Sequence, residues 1–415
     1  MNKDALELLQ RRTVKVLTAG QVLSGFGLGS TLSIGALLAE HISGTPAWSG
    51  AAATFSTLGA AAWAIPLSRI AYRAGRRKAL ATGAAFAISG AGFVILAAAT
   101  MQLWILLLGL FLLGAGSATG LQARFAATDL PSSRTKGKDL SLVVWATTFG
   151  AVIGPNLFGP GEVLGDALGM PAMTGPFLIT ITAQALATLT FWFGLRPDPL
   201  LVALQTSEVA GVKAPKRSFS TAFAALRANP KASYAVMVIA LSHMVMVSVM
   251  SMTPVHMEHH GSVLALVGFT ISVHIAGMYA FSPIFGWLSD KLGKIATILV
   301  GQAILIAALL VAGFGADSFT SVGVGLFLLG LGWSAATVSG SALLAESVGL
   351  EQKTNVQGVS DSLMMLAGAV GGAVSGSILA VGEFLGLNLA ALVPVCLALL
   401  VTGLTLRPAK IKPSN

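Results

Sequence analysis

Every lysine and arginine in this 415-residue chain falls on alternate gaps between long apolar stretches. No other feature constrains the fold as much. Twelve stretches of about 20 mostly apolar residues, the length needed to cross a bilayer as a helix, fit between the charge clusters. They run over 14–38, 48–70, 78–100, 103–127, 140–159, 174–195, 232–256, 263–288, 294–314, 319–345, 357–381 and 387–406. All 25 basic residues cluster before the first stretch, after every even-numbered one, and in the segment 196–231. The opposite ends carry only acids: Glu40, Glu162, Asp166, Glu258, Asp317 and Glu383. Basic residues mark the cytoplasmic side, so the pattern predicts an all-α membrane protein with twelve spans and both termini cytoplasmic. The first stretch is too long, and its flank wrong, for a cleaved signal peptide.

Composition supports this reading and excludes others. Only 10% of residues are charged, against about 25% in soluble domains. The net charge of +9 therefore reports topology and contact with anionic inner-leaflet lipid, with no nucleic-acid partner implied. A single cysteine, Cys396, rules out a disulfide framework or a cysteine zinc site. No Ser–His–Asp or H-E-x-x-H pattern occurs, so no enzyme is expected.

The chain also repeats itself. Gly109-Leu-Phe-Leu-Leu-Gly114 recurs letter for letter as Gly325-Leu-Phe-Leu-Leu-Gly330. Glu40-His41 corresponds to Glu258-His259, the basic turn at Gly75 to the turn at Gly293, and Asp129 to Glu346. All four pairs share nearly one offset. They divide the chain into a six-helix bundle (1–195), a cytoplasmic linker (196–231) and a second six-helix bundle (232–415). Such repeats are a transporter feature, with the cargo site near the midplane between them.

The loop Gly286-Trp-Leu-Ser-Asp290-Lys-Leu-Gly293-Lys294 resembles the signature loop of the major facilitator superfamily, G-x-L-a-D-r-x-G-r-k. The first copy, Ser68 to Arg77, is degenerate. Tyr72 stands where the family has Asp, and Ser68 where it has Gly. By this resemblance Gly286, Asp290 and Gly293, with Arg73, Gly75 and Arg76, form a conformational clamp. The second copy is expected to brace an inward-closed state better than the first.

Six of the 13 methionines and five of the six histidines lie within residues 243–278. Met246 and Met250 share a face of the seventh helix, and His274 and Met278 a face of the eighth. At about 1.5 Å per residue, Met246 and His274 lie at similar depth, roughly 15–17 Å below the outer helix ends. The four residues form a ladder. Thioethers are soft, neutral ligands that select Cu(I), and imidazole also binds copper. An ionisable His274 at membrane depth is functional by default. A proton relay or a hydrogen-bonded structural histidine is the competing reading, and methionine also fills apolar gaps.

M-x-x-x-M followed by H-x-x-x-M on these helices resembles the CcoA-type copper importers of the superfamily. The resemblance implies copper as cargo rather than resident cofactor, with Met246 and His274 as principal ligands and Met250 and Met278 assisting. It further implies a bacterial inner membrane, copper chaperones as partners, and supply of copper for cytochrome c oxidase assembly; a monomer suffices for the fold. At the outer ends, Glu40, His41, His256, Met257, Glu258, His259 and His260 are candidates for copper recruitment or for titration as the gate opens. The alternative is a proton-coupled drug exporter. It draws on Gly150-Ala-Val-Ile-Gly154-Pro155 in the fifth helix, which resembles an exporter motif whose physical meaning is close packing and a kink. Against it, Asp139 and Asp361 lie near the cytoplasmic starts of their helices, and Arg124 near the inner end of the fourth.

Overall fold

A computed structural model describes residues 3–44, 48–130, 136–208, 219–262 and 264–405. Arg134, Lys213, Lys216, Arg217, Arg407, Lys410 and Lys412 lie outside the described residues, as do the side chains of Glu40 and Glu258. The helices are α1 (Lys3–Ser43), α2 (Ser49–Ala74), α3 (Arg76–Thr100), α4 (Leu103–Ala126), α5 (Lys136–Ile153), α6 (Phe158–Ala167), α7 (Gly175–Gly194), α8 (Pro199–Glu208), α9 (Phe219–Ala228), α10 (Pro230–His259), α11 (Leu264–Tyr279), α12 (Ser282–Leu292), α13 (Lys294–Phe314), α14 (Phe319–Ser347) and α15 (Leu350–Thr405). Eight segments among the described residues are long and apolar enough to cross a membrane. The last of them, Gln352–Gly403, has 52 residues. It is long enough for two passes and is broken at Glu383, where φ is 54° and ψ −165°. The expected stretches 14–38, 48–70 and 140–159 lie in α1, in α2, and in α5 with its continuation into α6.

Two expected helices are interrupted. The fifth passes through a 3₁₀ turn at Gly154–Leu157, where Pro155 removes a backbone donor and cannot continue the α-helical ladder. The eighth divides into α11 and α12 just before Pro283. There the Ser282 hydroxyl donates to the carbonyls of Tyr279 (2.7 Å) and of Ser141 on α5 (3.1 Å). The linker, expected to be a loop, contains two short helices. α9 buries Ala222 and Leu226 against α10 and α15. α8 is capped by Asp198, whose carboxylate accepts from the amides of Leu200 and Leu201, a standard N-terminal use of Asp.

The repeat seen in the letters is repeated in geometry. Gly75 and Gly293 hold matching conformations, with φ 91° and 93°, a region open to glycine and strained for other residues. Each ends one helix and begins the next. Residues after them pair with the acids that close the fourth and tenth expected helices. Arg76 Nε meets Asp129 Oδ2 at 2.7 Å, and Lys294 Nζ meets Glu346 Oε1 at 3.0 Å. Gly109 packs against Gly90 and Val94 of α3, and Gly325 against Ala312 of α13. Small residues at these crossings let the backbones approach closely.

The two halves meet along α2 with α15, and along α5 with α11 and α12. Polar bonds between them cluster towards the ends bearing the basic residues. Arg124 Nη2 lies 2.6 Å from Asp361 Oδ1. Lys353 Nζ donates to the Thr128 carbonyl at 2.7 Å and hydroxyl at 2.9 Å. Arg76 Nη2 donates to Gln357 Oε1 at 3.2 Å. Nearer the middle, Ser362 donates to the Ala61 carbonyl at 2.9 Å.

Candidate functional site

α10 and α11 both pack on α14, so α14 is the platform for the candidate ladder. Met246 and Met278 are buried in one apolar cluster with Leu326, Leu329 and Trp333 of α14, and Met250 packs against it. Two glycines permit the close approach. A Cβ on Gly330 would lie 2.8 Å from the Met278 amide nitrogen and 3.0 Å from the Gly277 carbonyl carbon. A Cβ on Gly277 would meet the Phe327 carbonyl. The second glycine of the repeated sequence segment is thus the contact that seats His274 and Met278 against α14.

His274 is fully buried. Its Nδ1 is 2.7 Å from the Leu326 carbonyl oxygen. A carbonyl can only accept, so Nδ1 carries the proton and Nε2 presents a lone pair. Nε2 is buried without a hydrogen-bond partner among the described residues. A ring held through one nitrogen by a backbone carbonyl, with the other left free, is the usual arrangement of a metal-ligating histidine. Among the described residues, no group of three or more His, Cys, Asp or Glu could hold a metal ion. A metal at this level would be held by thioethers with one imidazole.

His243 enters a different group. Its Nδ1 accepts from Trp333 Nε1 at 3.1 Å. Trp333 also meets Tyr279 edge to face, with ring centroids 5.7 Å apart. Arg124, from the other half, is close enough to act electrostatically on both His243 and Tyr279.

The outer-end candidates divide. His256 and His260 come together, with ring centroids 4.2 Å apart. His256 is also stacked on Phe384 at 4.2 Å, and its Nε2 is 2.9 Å from the Ala316 carbonyl oxygen. Met257 is fully buried in the core of the second half. His41, His259 and His260 are exposed.

The clamp residues make unequal contacts. Asp290 is 4.0 Å from Lys294 within its own turn, with its side chain 40% exposed. Arg76 is 1% exposed, pairs with Asp129 of its own half and donates to Gln357 of the other. The degenerate first copy therefore makes the tighter inter-half brace. Gly75 lies against Asp198, whose Oδ2 accepts from the Arg77 amide at 2.8 Å. This carboxylate from the linker stands beside the turn in which Tyr72 replaces the family's acid.

Sequence reasoning missed Lys353, Asp198 and the pairing of Arg124 with Asp361. The last two residues were noted only as lying near the inner ends of their helices. A basic and an acidic residue in otherwise apolar spans of opposite halves is a signal that could have suggested their pairing.

The family model of the Major Facilitator Superfamily matches residues 17–371, with a second match over 258–415. An uncharacterized MFS-type transporter of Bacillus subtilis, YdeG, is 38% identical over 92% of this chain and 89% of its own length. The riboflavin transporter RfnT of Brucella anthropi is 27% identical over 96% of each chain. Among solved structures, the human organic anion transporter MFSD10 superposes with a TM-score of 0.72 at 17% identity, covering 95% of this chain and 99% of that one. A helical repeat joined face to face, a matching family model and full-length relatives agree: this chain is a membrane transporter belonging to the major facilitator superfamily.

Proposed function

We propose that the chain is a secondary-active copper importer of the bacterial inner membrane. It works by alternating access through twelve spans, in bundles 1–195 and 232–415, with both termini cytoplasmic. Met246, Met250, His274 and Met278 carry the ion, and the copper supplies cytochrome c oxidase assembly through chaperone partners. One observation carries the reading. His274 is pinned through Nδ1 to Leu326, a member of the cluster that contains Met246 and Met278, and its Nε2 is buried without a partner among the described residues. Neutral ligands let a monovalent ion cross a low-dielectric interior without fixed carboxylates, and weak ligands in series allow transfer between sites. Outside, His256, His259 and His260 collect the ion.

The test is copper uptake into proteoliposomes by wild type, Met246→Ala and His274→Ala. Uptake should fall by about tenfold or more in each, as expected for loss of a ligand contributing about 1.4 kcal/mol or more. Unchanged flux in both variants refutes the site.

A second reading is transport of a small organic molecule. The His243–Trp333–Tyr279 group beside Arg124 favours it, since aromatic faces and a few convergent polar groups suit an organic ligand. A full-length relative is a riboflavin transporter. Riboflavin flux in the same vesicles, with no copper flux, would establish this reading in place of the first.

A further inference from the structure

Asp361 is fully buried on α15 and bonded through Oδ1 to Arg124 of the other half. Its Oδ2 has no partner among the described residues, and neither does Arg124 Nε. Arg124 is itself 2% exposed. A guanidinium can hold a carboxylate through two parallel bonds. Here only one is made, and a carboxylate oxygen is left bare inside the protein.

The pair also lies where the halves must part. Arg76 with Gln357, Lys353 with Thr128, and Ser68 packed against Gly358 lie around it. Inward opening separates Arg124 from Asp361. Pulling apart a buried pair leaves uncompensated charge, at a cost of several kcal/mol per ion. Arginine cannot shed its charge under these conditions. The carboxylate can, by taking a proton.

We propose that Asp361 is a proton-binding site of the transport cycle. A proton adds to the bare Oδ2, the carboxyl becomes neutral, and its bond to Arg124 weakens. The inner contacts then release. The parted state keeps that proton, so each opening takes up one proton. The charged groups that act on Asp361 are Arg124 from α4 and Arg76 from the start of α3, and Arg124 in turn acts on His243 of α10 and Tyr279 of α11. Lys353 lies two turns away on α15 and Asp129 follows α4. α2 faces α15 with Ala61, Ala64 and Ser68. Among these, Asp361 is the acid whose charge is matched by a single bond across the halves, because Asp129 is held by Arg76 through two.

This inference goes beyond the copper reading and does not depend on the cargo. It uses the proposed orientation, with the Arg124 end cytoplasmic. The test is thiol labelling of Ser68→Cys in a Cys396→Ser background. Ser68 is 3% exposed between the halves, so it labels only when they part. Labelling by a membrane-impermeant maleimide is followed in inside-out and right-side-out vesicles. Each rate is divided by that of the denatured protein at the same pH. For one proton per opening, the open fraction rises about tenfold per unit fall in pH across the titrating range. Asp361→Glu should keep this slope. Asp361→Asn, and the charge-free double variant Asp361→Asn with Arg124→Gln, should label with no pH dependence. A flat wild-type profile, or an unchanged slope in Asp361→Asn, overturns the proposal. Labelling from the outer face would instead overturn the orientation and leave the proton site to be judged by its slope.

Discussion

Asp129 and Glu346 occupy equivalent positions in the two repeats, yet their ion pairs should differ severalfold in energetic weight. Asp129 and Arg76 have side chains 0% and 1% exposed. Arg76 gives Asp129 two bonds, at 2.7 and 3.2 Å, and Lys353 Nζ lies 3.9 Å away. Asp129→Ala leaves a guanidinium that cannot deprotonate, in a place water does not reach. Removing one partner of a buried pair costs about 3–5 kcal/mol. Arg76 keeps Gln357 and Lys353 keeps Thr128, which places the expected loss near about 3 kcal/mol. That is a change of roughly 100-fold in the folding equilibrium. In the second repeat the Lys294 and Glu346 side chains are 22% and 45% exposed. Glu346→Ala should cost about 0–1 kcal/mol, since water re-solvates both groups. Denaturant unfolding of the detergent-solubilised protein measures both. Added salt should narrow the Glu346 effect, because exposed pairs are screened, and leave the Asp129 effect largely intact. Equal losses in the two variants, or a larger one for Glu346→Ala, would refute the claim that burial sets the difference.

Gly330→Ala forces α11 and α14 apart by about half an ångström at His274 and Met278, an overpacking strain of roughly 1–3 kcal/mol. Copper uptake should fall by about tenfold or more, while Gly323→Ala, with open space at its Cβ, should not change it; equal uptake in both removes the link between this crossing and the cargo site. Replacing His256, His259 and His260 together with Gln should lower uptake at limiting copper and leave the saturated rate intact, with thermal unfolding of the variant followed in parallel. Unchanged uptake at limiting copper would sink the recruitment role.

Hydropathy and charge placement made the helices legible because both act along one dimension. An apolar run of 20 residues has few ways to satisfy its backbone in lipid except as a helix. The turns at Gly75 and Gly293 were legible for a related reason: a repeated glycine next to a repeated basic residue marks a repeated backbone conformation. The interruptions were harder to see. Pro155 signalled a kink, and the structure resolves it into a 3₁₀ turn between two helices. Pro283 gave the same local signal, but the break before it is tied to Ser141 of the other half, a contact that no local window contains. α8 and α9, ten residues each, are too short to stand out by periodicity, and α9 is held by packing on α10 and α15.

The packing of the candidate residues was legible to the extent that each pair lies on one face of its helix. Spacing put Met246 with Met250 and His274 with Met278, and the structure brings Met246, Met250 and Met278 into one cluster. What spacing could not show is the rotation of each helix about its axis. That rotation decides which nitrogen of His274 stays free, and it aims His243 at Trp333 rather than at the methionines. The same unknown hid the pairing of Arg124 with Asp361, 237 residues apart. Each looked like a charge at the inner end of a span, within reach of water. Packing of the two halves excludes that water and makes each the other's counter-ion. It also explains why the degenerate first loop braces the halves more strongly than the well-matched second. Motif quality describes a turn in isolation, whereas bracing depends on what the opposite half presents to it. Arg76 meets Gln357 beside Lys353 in a dry interface, while Asp290 meets only its own Lys294 at the edge of solvent among the described contacts.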